Sequence, residues 1–239
     1  MPVRAARFGD LNRIAKIFND AFWDEDATGR FMHPYRNEYP NDVLERYWLR
    51  ETREAFWDCN SVLMVAGLTD SGEVVGAGKW ECHGKKTGRW NWSEYNPIVV
   101  VMNNSVILYN RISAYIWPNR ACDPKTINAY TEANLFFTHH WTGRRSSCLA
   151  LERLGVHPIH QGEGHGRELV QWGLERAAQE KTAASVVCAY DTQGFYRKCG
   201  YDVEVGNVTE GEENPLAGVL GGTILFKDME DTADGGWSG

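Results

Sequence analysis

The 239-residue chain has no C-x-x-C pair, no apolar run of membrane-spanning length and no excess of basic residues. Each absence closes off a class of protein. The six cysteines, Cys59, Cys82, Cys122, Cys148, Cys188 and Cys199, are scattered. A chain of this size can bury a full core without disulfide staples, so reduced and mostly buried thiols are expected. The longest strongly apolar run is 98–102, far short of the roughly 20 residues that a bilayer span needs. The opening seven residues, Met1-Pro2-Val3-Arg4-Ala5-Ala6-Arg7, begin no apolar stretch of signal-peptide length. A cytoplasmic location without a membrane partner is therefore expected, and the sequons at Asn91, Asn103 and Asn207 read as chance matches. Basic residues number 25 against 32 acidic, a net charge of -7. That balance argues against a nucleic-acid partner, which calls for a basic face, while leaving room for a local cationic pocket.

What is present is a globular composition, 43% hydrophobic and 12% aromatic, with no internal repeat. It suits a single domain over 1–228 with a flexible acidic, Gly-rich tail over 229–239. A short strand over 3–6 leads into a helix to 22, where Leu11, Ile14, Ala15, Phe18, Ala21 and Phe22 keep the 3.6-residue period. A polar, aromatic-studded loop follows over 23–39, and then a helix over 42–56. Strands over 61–68 and 73–81 are joined by Thr69-Asp70-Ser71-Gly72, a hairpin turn signal. Between 82 and 145 the pattern weakens to helix candidates over 105–116 and 125–137. Residues 148–156 are apolar on both faces except for Glu152 and Arg153, which predicts a central strand. Helices over 166–179 and 192–198 and strands over 185–190, 201–205 and 222–226 complete an α/β architecture with a mixed sheet.

The chemistry is concentrated in Leu154-Gly155-Val156-His157-Pro158-Ile159-His160-Gln161-Gly162-Glu163-Gly164-His165-Gly166-Arg167-Glu168-Leu169. Here a strand ends, a Gly-rich turn follows and a helix begins. The free N–H groups of a helix's first turn, at the positive end of its dipole, make an anion cradle, and absent side chains let a phosphate approach the backbone. A dinucleotide fingerprint starting at Gly162 fails because Arg167 stands where its last glycine belongs. A P-loop fails because no Gly-Lys-Ser/Thr follows. No Ser lies in a G-x-S-x-G elbow, and no His/Cys/Asp/Glu cluster has metal-site spacing, so neither a hydrolase triad nor a metal is expected.

The remaining pattern, Q-x-x-G-x-G at Gln161, Gly164 and Gly166, resembles that of the GNAT superfamily of acetyl-CoA-dependent N-acetyltransferases. Val156-x-Pro158 before it agrees, as does Gly194-Phe195-Tyr196-Arg197-Lys198-Cys199-Gly200-Tyr201, which is similar to the family's second signature. The likeness covers about 2–83 and 144–228, with an enlarged insertion at about 84–145. It implies a mixed, largely antiparallel sheet with a splayed pair of parallel strands and helices on both faces.

The resemblance also implies roles. Leu154 and Val156 would pair their main chain with the pantetheine arm of acetyl-CoA. Gln161, Gly162, Gly164, His165, Gly166 and Arg167 would hold the pyrophosphate with their amides, with Glu163 and Asp191 beside the cofactor. An ordinary tight turn is the other reading of these glycines. Tyr196 matches the position of the acid that protonates the departing thiolate; packing of a short helix is its alternative. Glu152, a carboxylate in an apolar strand, is the candidate base, with its pKa raised by desolvation. By simple alternation it shares a face with Ala150, Leu154 and Val156, unless a bulge intervenes. Pairing with Arg153, Arg145 or another cation is its other reading. The acceptor would meet Trp23, Asp24, Glu25, Asp26, Phe31 and Tyr35 on one side and Glu210, Glu212 and Glu213 on the other. Carboxylates beside aromatics suit a cationic amine, although a solvated acidic loop has the same composition. Trp80, Trp90, Trp92, Trp117 and Trp141 are candidates for an apolar wall or for core. The expected function is direct acetyl transfer to a primary amine of a small molecule in a ternary complex, by a monomer or homodimer. A protein or peptide N-acetyltransferase and a non-catalytic acyl-CoA sensor are the competing readings.

Overall fold

The first helix shows how pattern becomes packing. In the computed structural model, which describes residues 3–84 and 97–229, α1 (Leu11–Phe22) buries Leu11, Ile14, Ala15, Ile17 and Phe18. Each large apolar side chain fully removed from water contributes about 1.5–3 kcal/mol. The stripe lies on a sheet that begins with β1 (Val3–Ala5), β2 (Ser61–Gly67) and β3 (Val74–His83). Along β2 the side chains alternate as a pleated strand requires: Leu63 and Val65 join the cluster under α1, and Met64 and Ala66 join the cluster on the opposite face. Between α1 and β2 the chain is helical from α2 (Pro40–Asp42) through a π-helical turn (Val43–Trp48) into α3 (Leu49–Trp57).

The sheet continues through β4 (Cys148–Val156), β5 (Ala183–Cys188), β6 (Val203–Asn207) and β7 (Thr223–Lys227) in the order β1-β2-β3-β4-β5-β7-β6. Every neighbouring pair is antiparallel except β4 and β5, which are parallel. The helices α6 (His165–Glu180) and α7 (Gln193–Cys199) cover one face, where Leu169 and Val170 meet Trp80, Leu149 and Leu151. On the other face lie α1 and α5 (Ala129–Phe137), which packs with Cys148, Ala150 and Phe226. Gly173 of α6 lies flat on Trp80: a Cβ there would overlap the indole ring, so only glycine lets the helix settle against the strand.

Several expected boundaries move. The helix candidate at 105–116 extends back to Pro97 as α4 (Pro97–Ile116), absorbing the apolar run 98–102, and the one at 125–137 begins at Ala129. The strand expected at 185–190 starts two residues earlier, because Ala183 and Ala184 are buried and paired with Cys148 and Leu149. The strand expected at 201–205 instead begins at Val203, since Tyr201 packs into the core below α7. Of the tail expected over 229–239, residues 230–239 lie outside the described residues, as do Asn91, Trp90 and Trp92. Among the described residues no cysteines are bonded to each other, and no helix is long and apolar enough to cross a membrane.

Candidate functional site

Two irregularities in β4 create the site. The first is a bulge: Lys79 pairs with Arg153 while Trp80 pairs with Leu151, so Glu152 is the extra residue and simple alternation ends there. Ala150 therefore belongs to the α5 face while Leu154 packs on the α6 face. The expectation that Glu152 shares one face with Ala150, Leu154 and Val156 is corrected by this bulge. The second is a splay. Parallel pairing of β4 with β5 stops at Leu151 and Val186, whereas β4 stays paired with β3 through Val156. Beyond the last pair the edges of β4 and β5 part over a cleft of about 1320 Å³.

At one end of the cleft the chain turns through Gly162 (φ 84°) and Gly164 (φ 97°) into α6. Both are in the left-handed region that a side chain makes unfavourable by about 1–2 kcal/mol. A Cβ at either would meet no atom within 4 Å, so the space in front of the turn is open for an anion. The first four N–H groups of a helix have no partner within it, and α6 begins here. Gln161 turns its side-chain amide back to donate to the Val156 carbonyl at 3.1 Å, fixing the turn to the end of β4. Leu154, Val156, Gln161, Gly162, Gly164, His165, Gly166 and Arg167 all line the cleft, whereas Glu163 and Asp191 do not. Phe195 of α7 braces the turn, standing 3.5 Å from where a Cβ of Gly166 would be.

Tyr196 also lines the cleft, 8% exposed, and burial raises its phenol well above the ordinary tyrosine range. Cys188 lies in the same wall, and burial pushes its thiol up to about 12.

The other end is assembled from distant segments. Glu152 stands 3.7 Å from His83 Nε2 and 4.0 Å from the Arg153 guanidinium. Desolvation by itself would raise the carboxyl, but the close contact with His83 and the Arg153, Lys79 and His83 charges outweigh it and hold the pKa below the usual carboxylate range. The expected upward shift is thus reversed, and the alternative of pairing with Arg153 is met in part. The same contact raises His83 above the ordinary histidine value. Tyr130 of α5 lines this end, and burial pushes its phenol up to about 12.

Of the loop residues expected to meet an acceptor, Glu25 lines the cleft and Trp23, Asp24, Asp26, Phe31 and Tyr35 do not. Glu25 caps the following π-helical turn (Asp26–Phe31), accepting from the Ala27 and Thr28 amides at 3.1 and 2.6 Å. Gly29 presses on the carbonyl of Phe22, where a Cβ would overlap backbone, and this contact seats the loop on the end of α1. Trp23 packs into the core beneath α1, Phe31 packs beside α5, and Asp24 pairs with Arg36. Asp26 pairs with Arg30, and Tyr35 is exposed. Glu210, Glu212 and Glu213 lie outside the lining, which takes Val208 and Thr209 from that side. Of the described tryptophans, Trp141 lines the cleft, its indole N–H donating to Ser185 Oγ at 3.1 Å. Trp80 is core and Trp117 is exposed.

Sequence reasoning missed His83, Glu81, Tyr130 and Asn134, which reach the cleft from β3 and α5. Periodicity carried no signal for them, because their position depends on how α5 crosses the sheet. It also missed a convergence of metal-ligating groups: His160, Glu163 and His165 bring one ligand atom each to within 4.8 Å of one another. Their spacing, H-x-x-E-x-H, is not that of a helix or strand face, and two left-handed glycines make it compact.

Residues 127–203, which include α5, β4, the glycine turn, α6 and α7, match the family model described as an Acetyltransferase (GNAT) domain. A curated protein named Acetyltransferase, from Stachybotrys chartarum, is 23% identical over 230 residues, covering 94% of this chain and 90% of that protein. A crystal structure from Corynebacterium glutamicum, described as histone acetyltransferase HPA2 and related acetyltransferase, has a TM-score of 0.57 at 15% identity, with 95% of this chain and 96% of that one covered. At that identity the structural likeness speaks for the fold, a mixed sheet with one parallel pair.

Proposed function

We propose that the chain is an acyltransferase of the GNAT superfamily that moves the acetyl group of acetyl-CoA directly to a primary amine of a small molecule within a ternary complex. The observation that carries this reading is the coincidence of the β4–β5 splay, the open glycine turn at the α6 N-terminus and Tyr196 in one cleft. Acetyl-CoA supplies a thioester carbonyl and a thiolate leaving group. The main chain of Leu154 and Val156 lies along the parted edge of β4, where an amide-bearing arm can pair as a strand would. The amides from Gln161 to Arg167 and the helix dipole face the pyrophosphate. Gly162 and Gly164 fit that group because nothing stands where their side chains would be.

For transfer, the ammonium first gives up one proton; the neutral nitrogen then forms a bond to the carbonyl carbon, the C–S bond breaks, and the nitrogen releases a second proton while the sulfur gains one, so one proton in all passes to solvent. An alkylamine of pKa near 10 is about 0.1% neutral at pH 7, which costs on the order of 4 kcal/mol. Glu152, kept ionised by His83 and Arg153, attracts the ammonium, and His83 accepts its proton. The neighbouring Glu152 raises His83 above the ordinary histidine value, which strengthens the imidazole as a proton acceptor. Tyr196 gives its proton to the departing thiolate, and burial keeps the phenol protonated until that moment. Cys188, with its thiol pushed up to about 12, holds no appreciable thiolate at neutral pH, which supports transfer without a covalent enzyme intermediate.

The acceptor class rests on α5. Tyr130, Thr131, Asn134 and Phe137 line the same cleft as Glu25 and Glu81. Such a wall narrows the acceptor end to a small molecule, and the carboxylates favour a cation. The test is calorimetric titration with acetyl-CoA, followed by thiol release with small amines and with basic peptides. Binding with turnover on a small amine is expected. Turnover on peptides alone would transfer the reading to a protein acetyltransferase, binding without any turnover would favour an acyl-CoA sensor, and no binding would overturn the cofactor assignment.

A further inference from the structure

Beside the glycine turn, the carboxylate of Glu163 is shared by two imidazoles. Its Oε2 lies 3.1 Å from His165 Nε2 and 3.3 Å from His160 Nδ1. Bonds of about 2.0–2.2 Å from zinc to nitrogen and oxygen, arranged tetrahedrally, place neighbouring ligand atoms about 3.4 Å apart. The two measured separations are close to that edge, and all three atoms fall within 4.8 Å. We propose that His160, Glu163 and His165 form a three-ligand site for a divalent transition-metal ion of the zinc type, with a fourth position open toward the glycine cradle.

Three features support a built site over a chance cluster. The side chain of His165 is 0% exposed and locked in the first turn of α6. Its Nδ1 is buried with no hydrogen-bond partner among the described residues. Nδ1 thus has no partner that would hold the ring in another orientation, and the 3.1 Å contact of Nε2 with Glu163 sets it. Here only Nε2 is used, and it is aimed at Glu163. The left-handed glycines at 162 and 164 fold three nearby residues into one convergence that no regular element gives. The donor set, two imidazoles and a carboxylate, is that of three-ligand zinc sites that keep an open position. The positive end of the α6 dipole opposes a cation here, and the Glu163 charge offsets it, helped by any phosphate oxygen that takes the open position.

Metal binding itself does not depend on the acetyl-CoA reading. One consequence does rest on it: if the pyrophosphate occupies the cradle, metal and acetyl-CoA must change each other's affinity by the same factor. The experiment uses the tag-free chain without acetyl-CoA, titrated with Zn²⁺ by calorimetry and with Co²⁺ by visible absorption. One saturable equivalent and the visible bands of tetrahedral cobalt are expected. His160→Ala and Glu163→Gln should each weaken binding by at least about 100-fold, a ligand loss exceeding the 10–100-fold effect of outer partners. A double substitution at His139 and His140, whose ring centroids lie 3.9 Å apart away from this cluster, should leave it unchanged. No saturable binding by the wild type, or equal binding by the two ligand variants, overturns the site. His165→Asn adds the buried ligand, and the His160 and Glu163 variants decide the matter if that variant does not fold. Repeating the zinc titration with acetyl-CoA present tests the coupling alone. An unchanged zinc affinity overturns the coupling and leaves the site standing, while failure of acetyl-CoA to bind the metal-free chain would count against the cofactor reading and not the metal.

Discussion

Between residues 154 and 167 the cleft is lined by one continuous stretch of chain, whereas its other end draws Glu25, His83, Tyr130 and Glu152 from four separate elements. The first half works through backbone: N–H groups, left-handed glycines and a helix terminus. The second works through side chains whose protonation is set by neighbours from other strands and helices. A site made of local backbone is robust to how the rest of the fold packs. A site made of convergent side chains is specific to that packing, and within this cleft it is the end expected to choose the acceptor.

The contrast can be broken at its strongest point first. Gly164→Glu puts a side chain and a negative charge into the open cradle and asks a left-handed residue to carry a Cβ, so acetyl-CoA affinity should fall by roughly 1000-fold, about 4 kcal/mol. Calorimetry with a circular-dichroism control for folding measures it. Equal affinity in a folded variant would remove the cradle. Tyr196→Phe comes next, with kcat expected to fall about 100-fold and acetyl-CoA affinity to stay within about twofold. A loss confined to affinity would take Tyr196 out of the acid role.

Gly173→Ala tests the packing beneath both halves. Its Cβ would overlap Trp80, and a loss of about 2 kcal/mol in denaturant unfolding is expected, within the range for overpacking. Glu152→Gln sharpens the acceptor half. It should lower kcat/KM about tenfold at pH 7 and move the acid limb of the profile. In the wild type Glu152 raises His83, so the neutral, proton-accepting form appears only at higher pH. Removing the carboxylate charge lowers that value, and the acid limb should shift to lower pH. A limb that stays in place would show that His83 is not the group titrating. The smallest effect belongs to Asn134→Ala in α5, for which a KM change of a few fold for the amine, with KM for acetyl-CoA unchanged, would support α5 as acceptor wall.

Legibility followed the same division. The strand at Cys148–Val156, the turn and the helix from His165 could be read because each is encoded by near neighbours: apolar runs, glycines at fixed offsets, a 3.6-residue period. Glu152 was singled out as a carboxylate in an apolar strand, but the direction of its pKa shift was misread, since desolvation was visible in sequence and the opposing His83 and Arg153 contacts were not. Trp23, Phe31 and Tyr35 have a composition suited to an amine site, but none of them lines the cleft. The loop they occupy is seated by Gly29 against α1, a contact between segments that composition does not encode.

The sequence by itself determined most of the elements and the glycine turn, because helix periodicity, left-handed glycines and free helix amides are properties of a few consecutive residues. Only the tertiary structure decided the bulge that exposes Glu152 to His83, the parting of β4 from β5, the wall supplied by α5 and the meeting of His160, Glu163 and His165. Those depend on register between strands and on the path of a loop, and the forces that set them act between residues distant in the chain or through backbone angles that no pattern of hydrophobicity records.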